Sequence, residues 1–169
     1  MTDERLGRAL WSALGRLPRG SGVVFRHYRT PPAERRALFA QVRRIARARR
    51  LVLVLAGDAR TAAAWRADGV HGRAAGAPRR AGLHTAPAHD RRERIAAERA
   101  GADLVMVSPV FATRSHPGAA VLGVVRFGLL ARGAGVPVVA LGGMTGARFR
   151  RLRPLGADGW AAIDAWAGS

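Results

Sequence analysis

The side chains that could carry chemistry in this sequence are mostly histidines that stand next to runs of apolar residues. His27, His71 and His84 lie at the ends of such runs, and His89 and His116 lie in the segments that follow them. A neutral imidazole can accept or donate a proton near neutral pH, so these residues are candidates for general acid–base catalysis. If the runs are parallel strands, all five histidines lie at the carboxyl-terminal edge of the sheet, where such folds place their sites.

A second group of residues could bind a phosphorylated ligand. Arg26 ends the first apolar run, and its planar guanidinium can contact two phosphate oxygens at once. Thr113 and Ser115 supply hydroxyl groups in a segment that follows a later run. Gly142 and Gly143 precede a predicted helix, and backbone N–H groups at such turns commonly bind phosphate. Together these residue types predict an anion site at the same edge of the sheet.

The elements that must position these residues alternate between strands and helices. A helix is predicted from Ala33 to about Arg49, with Leu38, Val42 and Ile45 on one face and arginines elsewhere. Continuous apolar runs are typical of strands buried on both faces of a parallel sheet. The predicted strands cover residues 22–27, 51–56, 69–71, 81–84, 104–108, 137–141 and 159–163.

An Ala-Asp pair recurs where a predicted helix ends and the next strand begins. It occurs at Ala67-Asp68, at Ala102-Asp103 and at Ala157-Asp158. This is an internal βα repeat, which predicts right-handed crossovers between parallel strands. The repeat and the seven strands favour a single domain over residues 1–169, a TIM-type (βα)8 barrel whose first strand is truncated or missing. An open doubly wound sheet is the alternative, although the early glycine-rich fingerprint of dinucleotide-binding folds is missing.

The composition of the chain limits which binding partners and which cellular compartment we expect. The chain has 29 basic residues against 11 acidic ones, and every basic residue is arginine. The arginines are spread over several helices and aromatic residues are few, so we expect no nucleic-acid partner, but the positive field would attract small phosphorylated ligands. There is no cysteine, and the apolar runs are far shorter than the roughly 20 residues of a membrane helix. We therefore expect a cytoplasmic protein that does not bind membranes.

Four segments carry a resemblance to a known family. They are Ala67–His71 (ADGVH), Gly101–Gly118 (GADLVMVSPVFATRSHPG), Pro137–Met144 (PVVALGGM) and Gly156–Gly159 (GADG). In this order they resemble the motifs of the thiamine-phosphate synthase and thiazole tautomerase family. For the synthase branch the resemblance implies a magnesium-dependent transfer, in which a thiazole phosphate displaces pyrophosphate from an aminopyrimidine diphosphate to give thiamine phosphate.

The resemblance also implies site residues, and the match is uneven. Where the family has Gln-x-Arg-x-Lys on its second strand, this chain has Val24, Arg26 and Tyr28. The family's diphosphate loop, Thr-x-Thr-Lys, corresponds to residues 113–116 here, so that His116 replaces the lysine. The family's phosphate-binding serine near the end of the last strand corresponds to Asp164, whose carboxylate would repel a phosphate.

Magnesium is the least supported part of the resemblance. The family's first metal carboxylate corresponds to Asp58 only after a shift of one residue, and residues 72–75 contain no acid where the second is expected. Mg²⁺ prefers several oxygen ligands, so a site built on Asp58 alone would be weak.

Three functions therefore remain open. The chain is a divergent synthase using Arg26, Thr113, Ser115 and His116, or a metal-independent thiazole tautomerase with His84 or His89 as the base. The third alternative is a barrel that has lost catalysis and acts as a binding or regulatory protein. A missing first strand would leave sheet edges unpaired, which favours a homo-oligomer.

Overall fold

The computed structural model describes residues 1–73, 82–113, 118, 120–163 and 165, which form an α/β fold with seven parallel strands. The strands follow chain order in the sheet. They are β1 (Gly22–Phe25), β2 (Val52–Ala56), β3 (Gly69–His71), β4 (Leu83–Ala88), β5 (Leu104–Val107), β6 (Val138–Leu141) and β7 (Gly159–Ala161). The prediction of an α/β fold with these seven strands is confirmed.

Six helices accompany the strands in the described residues. They are α1 (Ala9–Arg16), α2 (Pro32–Arg49), α3 (Ala59–Ala64), α4 (Arg91–Arg99), α5 (Gly123–Ala131) and α6 (Gly146–Leu152). Local chemistry sets several of their ends. Asp58, Asp90 and Thr145 cap α3, α4 and α6 with side-chain oxygens that accept backbone N–H groups. Pro32 suits the first turn of α2, where no N–H donor is needed.

The described residues group into two compact units. The first holds residues 1–71 with residues 82, 83, 163 and 165, and therefore β1 to β3. The second holds residues 72 and 73 and the described part of 84–162, and therefore β4 to β7 apart from Leu83. The single domain over residues 1–169 stays a prediction.

Each unit has its own buried core. In the first unit, Phe25 meets Phe39 edge to face, with ring centroids 5.3 Å apart, and both rings are buried. In the second unit, alternate residues of the strands pack with Phe127 of α5 and Leu152 of α6. The buried face of α2 consists of Phe39, Val42 and Ala46. On the predicted apolar face Val42 is buried and Leu38 and Ile45 are half-buried, whereas Phe39, which the sequence analysis did not single out, reaches the core.

The recurring aspartates have a structural role at the starts of strands. The carboxylate of Asp68 accepts the backbone N–H of Leu53 at 2.7 Å, and the N–H of Asp68 donates to the carbonyl of Leu53 at 2.8 Å. Asp103 makes the same two bonds with His84, and Asp158 makes them with Val138. The internal βα repeat is thus visible as a repeated two-way bond that fixes each turn to the strand before it.

The boundaries of β4 differ from the prediction. The strand was expected over residues 81–84 and instead runs from Leu83 to Ala88. Pro87 argues against a strand because it has no N–H to donate. However, the carbonyls of His84 and Ala88 in β4 accept the backbone N–H groups of Asp103 and Ser108. Alternate residues of β4 face β5 in this way, so Pro87 need not donate toward β5.

The free edge of β1 carries a short extended segment. The N–H of Thr2 donates to the carbonyl of Val24 at 2.8 Å, and the hydroxyl of Thr2 accepts the N–H of Arg26.

Within the described residues, no helix is long and apolar enough to cross a membrane.

Candidate functional site

Arg26 and Tyr28 lie just beyond the carboxyl-terminal end of β1 in the first unit. The Cζ atom of Arg26 is 5.9 Å from the centroid of the Tyr28 ring. Arg26 is half-buried, whereas 60% of Tyr28 is exposed to solvent. A guanidinium over an exposed aromatic face is a cation–π contact, and it holds the positive charge near the surface.

His27 and His71 are buried rather than open to a ligand. The ring of His27 stacks on Phe25 at a centroid distance of 4.6 Å, and its Nδ1 lies 3.0 Å from the hydroxyl of Thr2. Burial lowers the pKa of His27, because the charged imidazolium loses its hydration. His71 ends β3, as predicted, and is buried there. We assign both residues to the structure of the first unit.

Asp58 caps a helix and is a poor candidate for a metal ligand. One carboxylate oxygen accepts the backbone N–H of Thr61 at 2.8 Å, and the other accepts its hydroxyl at 2.7 Å. These bonds lower the pKa of Asp58, since they favour the charged carboxylate. No cluster of three or more His, Asp or Glu residues that could hold a metal exists among the described residues. The residues present therefore do not fit a resident Mg²⁺ ion.

The structure contradicts the predicted placement of His84. This residue is second in β4, not last, and it is buried. Strand alternation puts it on the same face as Ala86 and Ala88, which pack in the core of the second unit. Its Nε2 lies 3.1 Å from the carbonyl of Gly72, and its backbone N–H is bound by Asp103. We therefore assign His84 to the core and not to a site at the ends of the strands.

His89 follows β4 directly and is exposed, whereas the sequence predicted only that it lies in the segment after a strand ending at residue 84. Its Nδ1 lies 2.6 Å from the carbonyl oxygen of Ser108, the residue that follows β5. A carbonyl only accepts hydrogen bonds, so in the neutral ring Nδ1 carries the proton and Nε2 carries the lone pair. Within the described residues Nε2 has no hydrogen-bond partner. The ring is therefore held in the tautomer that presents a base.

Two charged residues fix the backbone at His89. The backbone N–H of His89 donates to the carboxylate of Glu93 at 2.7 Å. The other carboxylate oxygen of Glu93 lies 2.6 Å from a guanidinium nitrogen of Arg73. The backbone N–H of Glu93 in turn donates to Asp90, the cap of α4. This network ties the turn between β4 and α4 to the segment after β3.

Gly142 and Gly143 form a tight turn between β6 and α6. Both have positive φ angles, 95° and 59°. A Cβ on Gly142 would lie 2.8 Å from Cα of Pro109, and one on Gly143 would collide with the carbonyl of Ala112. The backbone N–H of Phe111 donates to the carbonyl of Gly142 at 3.1 Å. Glycine is required at both positions because the turn packs directly on the segment that follows β5.

Thr113 stands at the end of that segment and is half-buried. Three other predicted site residues, Ser115, His116 and Asp164, lie outside the described residues. The diphosphate loop that the resemblance implies over residues 113–116 is therefore seen only at its first residue.

Some residues near these sites could not be picked out from the sequence. Arg35 approaches Tyr28 from the first turn of α2, and Arg148 of α6 lies over the ring of Phe111 at 4.5 Å and donates to the carbonyl of Gly143. The usable signal was position, because each residue stands in the first turn of a helix that follows a strand. The residue type gave no signal, because arginine occurs on all six described helices.

A family model described as thiamine monophosphate synthase matches residues 5–166 of the chain. Thiamine-phosphate synthase of Geobacillus thermodenitrificans is 34% identical over 142 residues, which are 78% of this chain and 64% of that protein. A putative thiamine-phosphate synthase 2 of Aquifex aeolicus is 38% identical over 68 residues, 40% of this chain and 37% of that protein. The chain thus spans less than two thirds of the length of these relatives.

Solved structures give the same result. Thiamine phosphate pyrophosphorylase from Pyrococcus furiosus is similar with a TM-score of 0.82 at 26% identity, covering 99% of this chain and 85% of that one. The corresponding protein from Bacteroides thetaiotaomicron has a TM-score of 0.62 at 17% identity, covering 95% and 78%, and supports the fold alone. The order of the motifs, the parallel α/β fold and the match over residues 5–166 lead to one conclusion. The chain belongs to the thiamine monophosphate synthase family.

Proposed function

We propose that the chain joins an aminopyrimidine diphosphate to a thiazole phosphate, giving thiamine phosphate and pyrophosphate. The observation that carries this proposal is the family match, which extends over residues 5–166. The similarity to the Pyrococcus thiamine phosphate pyrophosphorylase, at a TM-score of 0.82, supports it. We further propose that the seven parallel strands belong to a TIM-type barrel that lacks its first strand.

The proposed condensation requires positive charge, which stabilises the departing pyrophosphate, more than it requires a base. The thiazole nitrogen forms a bond to the methylene carbon of the pyrimidine as the carbon–oxygen bond to the diphosphate breaks. The electron pair leaves with pyrophosphate, so negative charge develops on the departing oxygens, and fixed cations stabilise that charge. Arg26 is the candidate cation in the first unit. The contributions of Tyr28, Thr113, Ser115 and His116 to diphosphate binding stay predictions.

The thiazole phosphate is assigned to the turn of Gly142 and Gly143. Positive φ angles at both glycines support this, because such turns direct backbone N–H groups outward toward an anion. Asp164, where the family pattern has serine, would weaken this binding by repulsion. A magnesium cofactor stays a prediction. The cytoplasmic location and a homo-oligomer stay predictions.

The geometry of His89 favours a second candidate function, the metal-independent isomerisation of a thiazole. Its bond to the carbonyl of Ser108 leaves the lone pair on Nε2, and its ring is exposed. A general base needs this arrangement, since it must be free to take a proton from the substrate.

One experiment separates the candidate functions. The purified chain is incubated with the aminopyrimidine diphosphate and the thiazole phosphate, with Mg²⁺ or with EDTA, and thiamine phosphate and pyrophosphate are quantified. A parallel sample with a thiazole tautomer is followed by NMR. Equal amounts of thiamine phosphate and pyrophosphate support the synthase. Isomerisation without condensation supports the tautomerase. Saturable binding without either product supports a binding protein and refutes both reactions.

A further inference from the structure

Two guanidinium groups approach the same aromatic ring in the first unit. The Cζ atoms of Arg26 and Arg35 each lie 5.9 Å from the centroid of the Tyr28 ring. Arg26 extends from the end of β1, and Arg35 from the first turn of α2. Two positive charges are thus held around one side chain that is 60% exposed. Like charges repel each other, and an anion bound nearby would offset that repulsion.

The neighbouring carboxylates make their direct bonds elsewhere, although Asp3 is close enough to Arg26 for an electrostatic interaction. Asp3 is bound by the guanidinium of Arg5 at 2.8 Å, and Glu4 accepts the backbone N–H of Arg29 at 2.7 Å. Neither Arg26 nor Arg35 forms an ion pair within the described residues. Cation–π contacts with Tyr28 account for the closeness of the two groups to the ring, and Asp3 compensates the charge of Arg26 only through a longer-range interaction.

Arg35 is held in place by the fold. One terminal nitrogen donates to the carbonyl of Ala56, the last residue of β2, at 2.7 Å. Its Cζ lies 5.4 Å from the centroid of the Trp65 ring and 5.9 Å from that of Phe25. Its Nε atom is buried and has no hydrogen-bond partner among the described residues. The side chain is therefore fixed before any ligand arrives, and the second terminal nitrogen remains available to an anion.

We propose that Arg35 acts with Arg26 as a second cation for the diphosphate group of the substrate, with the anion bound beside Tyr28. The inference rests on the proposed function for the identity of the anion. Guanidinium groups bind phosphate oxygens through charge-assisted hydrogen bonds, and a diphosphate offers enough oxygens for two of them. Because Arg35 is already positioned, binding costs little side-chain ordering.

The test is the affinity for inorganic pyrophosphate, measured by calorimetry on the full chain in EDTA. We expect Arg35→Gln to weaken binding by at least about tenfold, the effect of losing a charged hydrogen bond. The matched control is Arg36→Gln, which removes the same charge from the neighbouring exposed position of α2 and should change affinity by less than about twofold, as expected for an exposed charge. Equal affinities for the two variants, or no binding by the unmodified chain, would overturn the proposal.

A second measurement keeps the proposal testable if Arg35→Gln fails to fold. Tyr28 is the only tyrosine in the sequence, so a ring-labelled tyrosine gives a single NMR signal. Pyrophosphate should shift this signal in the unmodified chain, and Arg35→Lys should bind more weakly while keeping the charge. A signal that does not move at saturating pyrophosphate would place the anion elsewhere.

The outcomes also separate this inference from the proposed function. Pyrophosphate binding that depends on Arg35, in a chain that forms no thiamine phosphate, supports the anion site and refutes the synthase. Condensation with an unchanged KM for the diphosphate substrate in Arg35→Gln supports the synthase and refutes the role of Arg35.

Discussion

The Nδ1 atom of His89 and the carbonyl oxygen of Ser108 are 2.6 Å apart, closer than the 3.5 Å between Nδ1 and the hydroxyl of Ser108. The shorter contact decides which nitrogen of the ring can act as a base. If the chain isomerises a thiazole, His89→Gln should lower that rate by at least about 10²-fold, the usual contribution of a general base. Ser108→Ala is the matched control, because it removes the hydroxyl and keeps the carbonyl. A similar loss in both variants would contradict the role of His89.

Asp58 provides a prediction about metal. Asp58→Ala should leave the affinity for Mg²⁺ unchanged in a calorimetric titration, since both carboxylate oxygens already bind Thr61. The same change should lower the free energy of unfolding by about 1 kcal/mol, the usual effect of losing a helix cap. A measurable fall in Mg²⁺ affinity would show that Asp58 is a ligand.

Gly143 provides a prediction about the turn after β6. Gly143→Ala should lower the free energy of unfolding by at least about 1–2 kcal/mol, because its φ of 59° disfavours any side chain and the added methyl meets the carbonyl of Ala112. Gly146→Ala is the control, because nothing lies within 4 Å of a Cβ there. Urea denaturation of both variants checks the difference. Equal stabilities would mean that the turn can rearrange.

The repeated aspartates provide a prediction about the starts of strands. Asp103→Ala should lower the free energy of unfolding by about 1–3 kcal/mol, because the N–H of His84 loses its acceptor. Asp103→Asn keeps an acceptor oxygen and should cost less. Glu34→Ala, at an exposed position in the first turn of α2, serves as the control. If Asp103→Ala unfolds at the same urea concentration as that control, the bond contributes nothing.

His27 provides a prediction about pH. Burial lowers its pKa in the folded chain below the ordinary value of 6.5, so the unfolded chain binds a proton first as the pH falls. The contribution of His27 to stability is therefore complete above about pH 6.5 and decreases as the pH falls toward its folded pKa. His27→Asn should reduce the difference in unfolding free energy between pH 7 and pH 5. An unchanged difference would assign the pH dependence to other groups.

The sequence predicted the strands well where side chains alone determine burial. The run from Leu51 to Ala56 located β2 within one residue, because a strand buried on both faces has no polar positions. The end of β4 could not be read in this way, since His84 and Pro87 interrupt the apolar pattern. The strand tolerates His84 and Pro87 because of which backbone groups face β5, and that arrangement exists only in the assembled sheet.

The candidate site residues show the same difference between what the sequence predicts and what only the structure reveals. His89 was identified because it lies in a segment that follows a predicted strand, although that strand was expected to end at residue 84 and not at Ala88. Arg35 was not, because it is one of six arginines in α2 and only the packing of Phe25, Trp65 and Ala56 distinguishes it. The affinity of a cation for a ligand depends on such surroundings, and residue type alone does not encode them.

The paired bonds of Asp68, Asp103 and Asp158 make the sheet modular. Each aspartate is linked to a residue only 15 to 20 positions earlier in the chain, so each strand start is specified within a single βα unit. A strand does not need the rest of the sheet to find its alignment with the turn that follows. Segments bounded by these aspartates should therefore be exchangeable between members of the family without a shift in register, which makes them natural crossover points for building chimaeric chains.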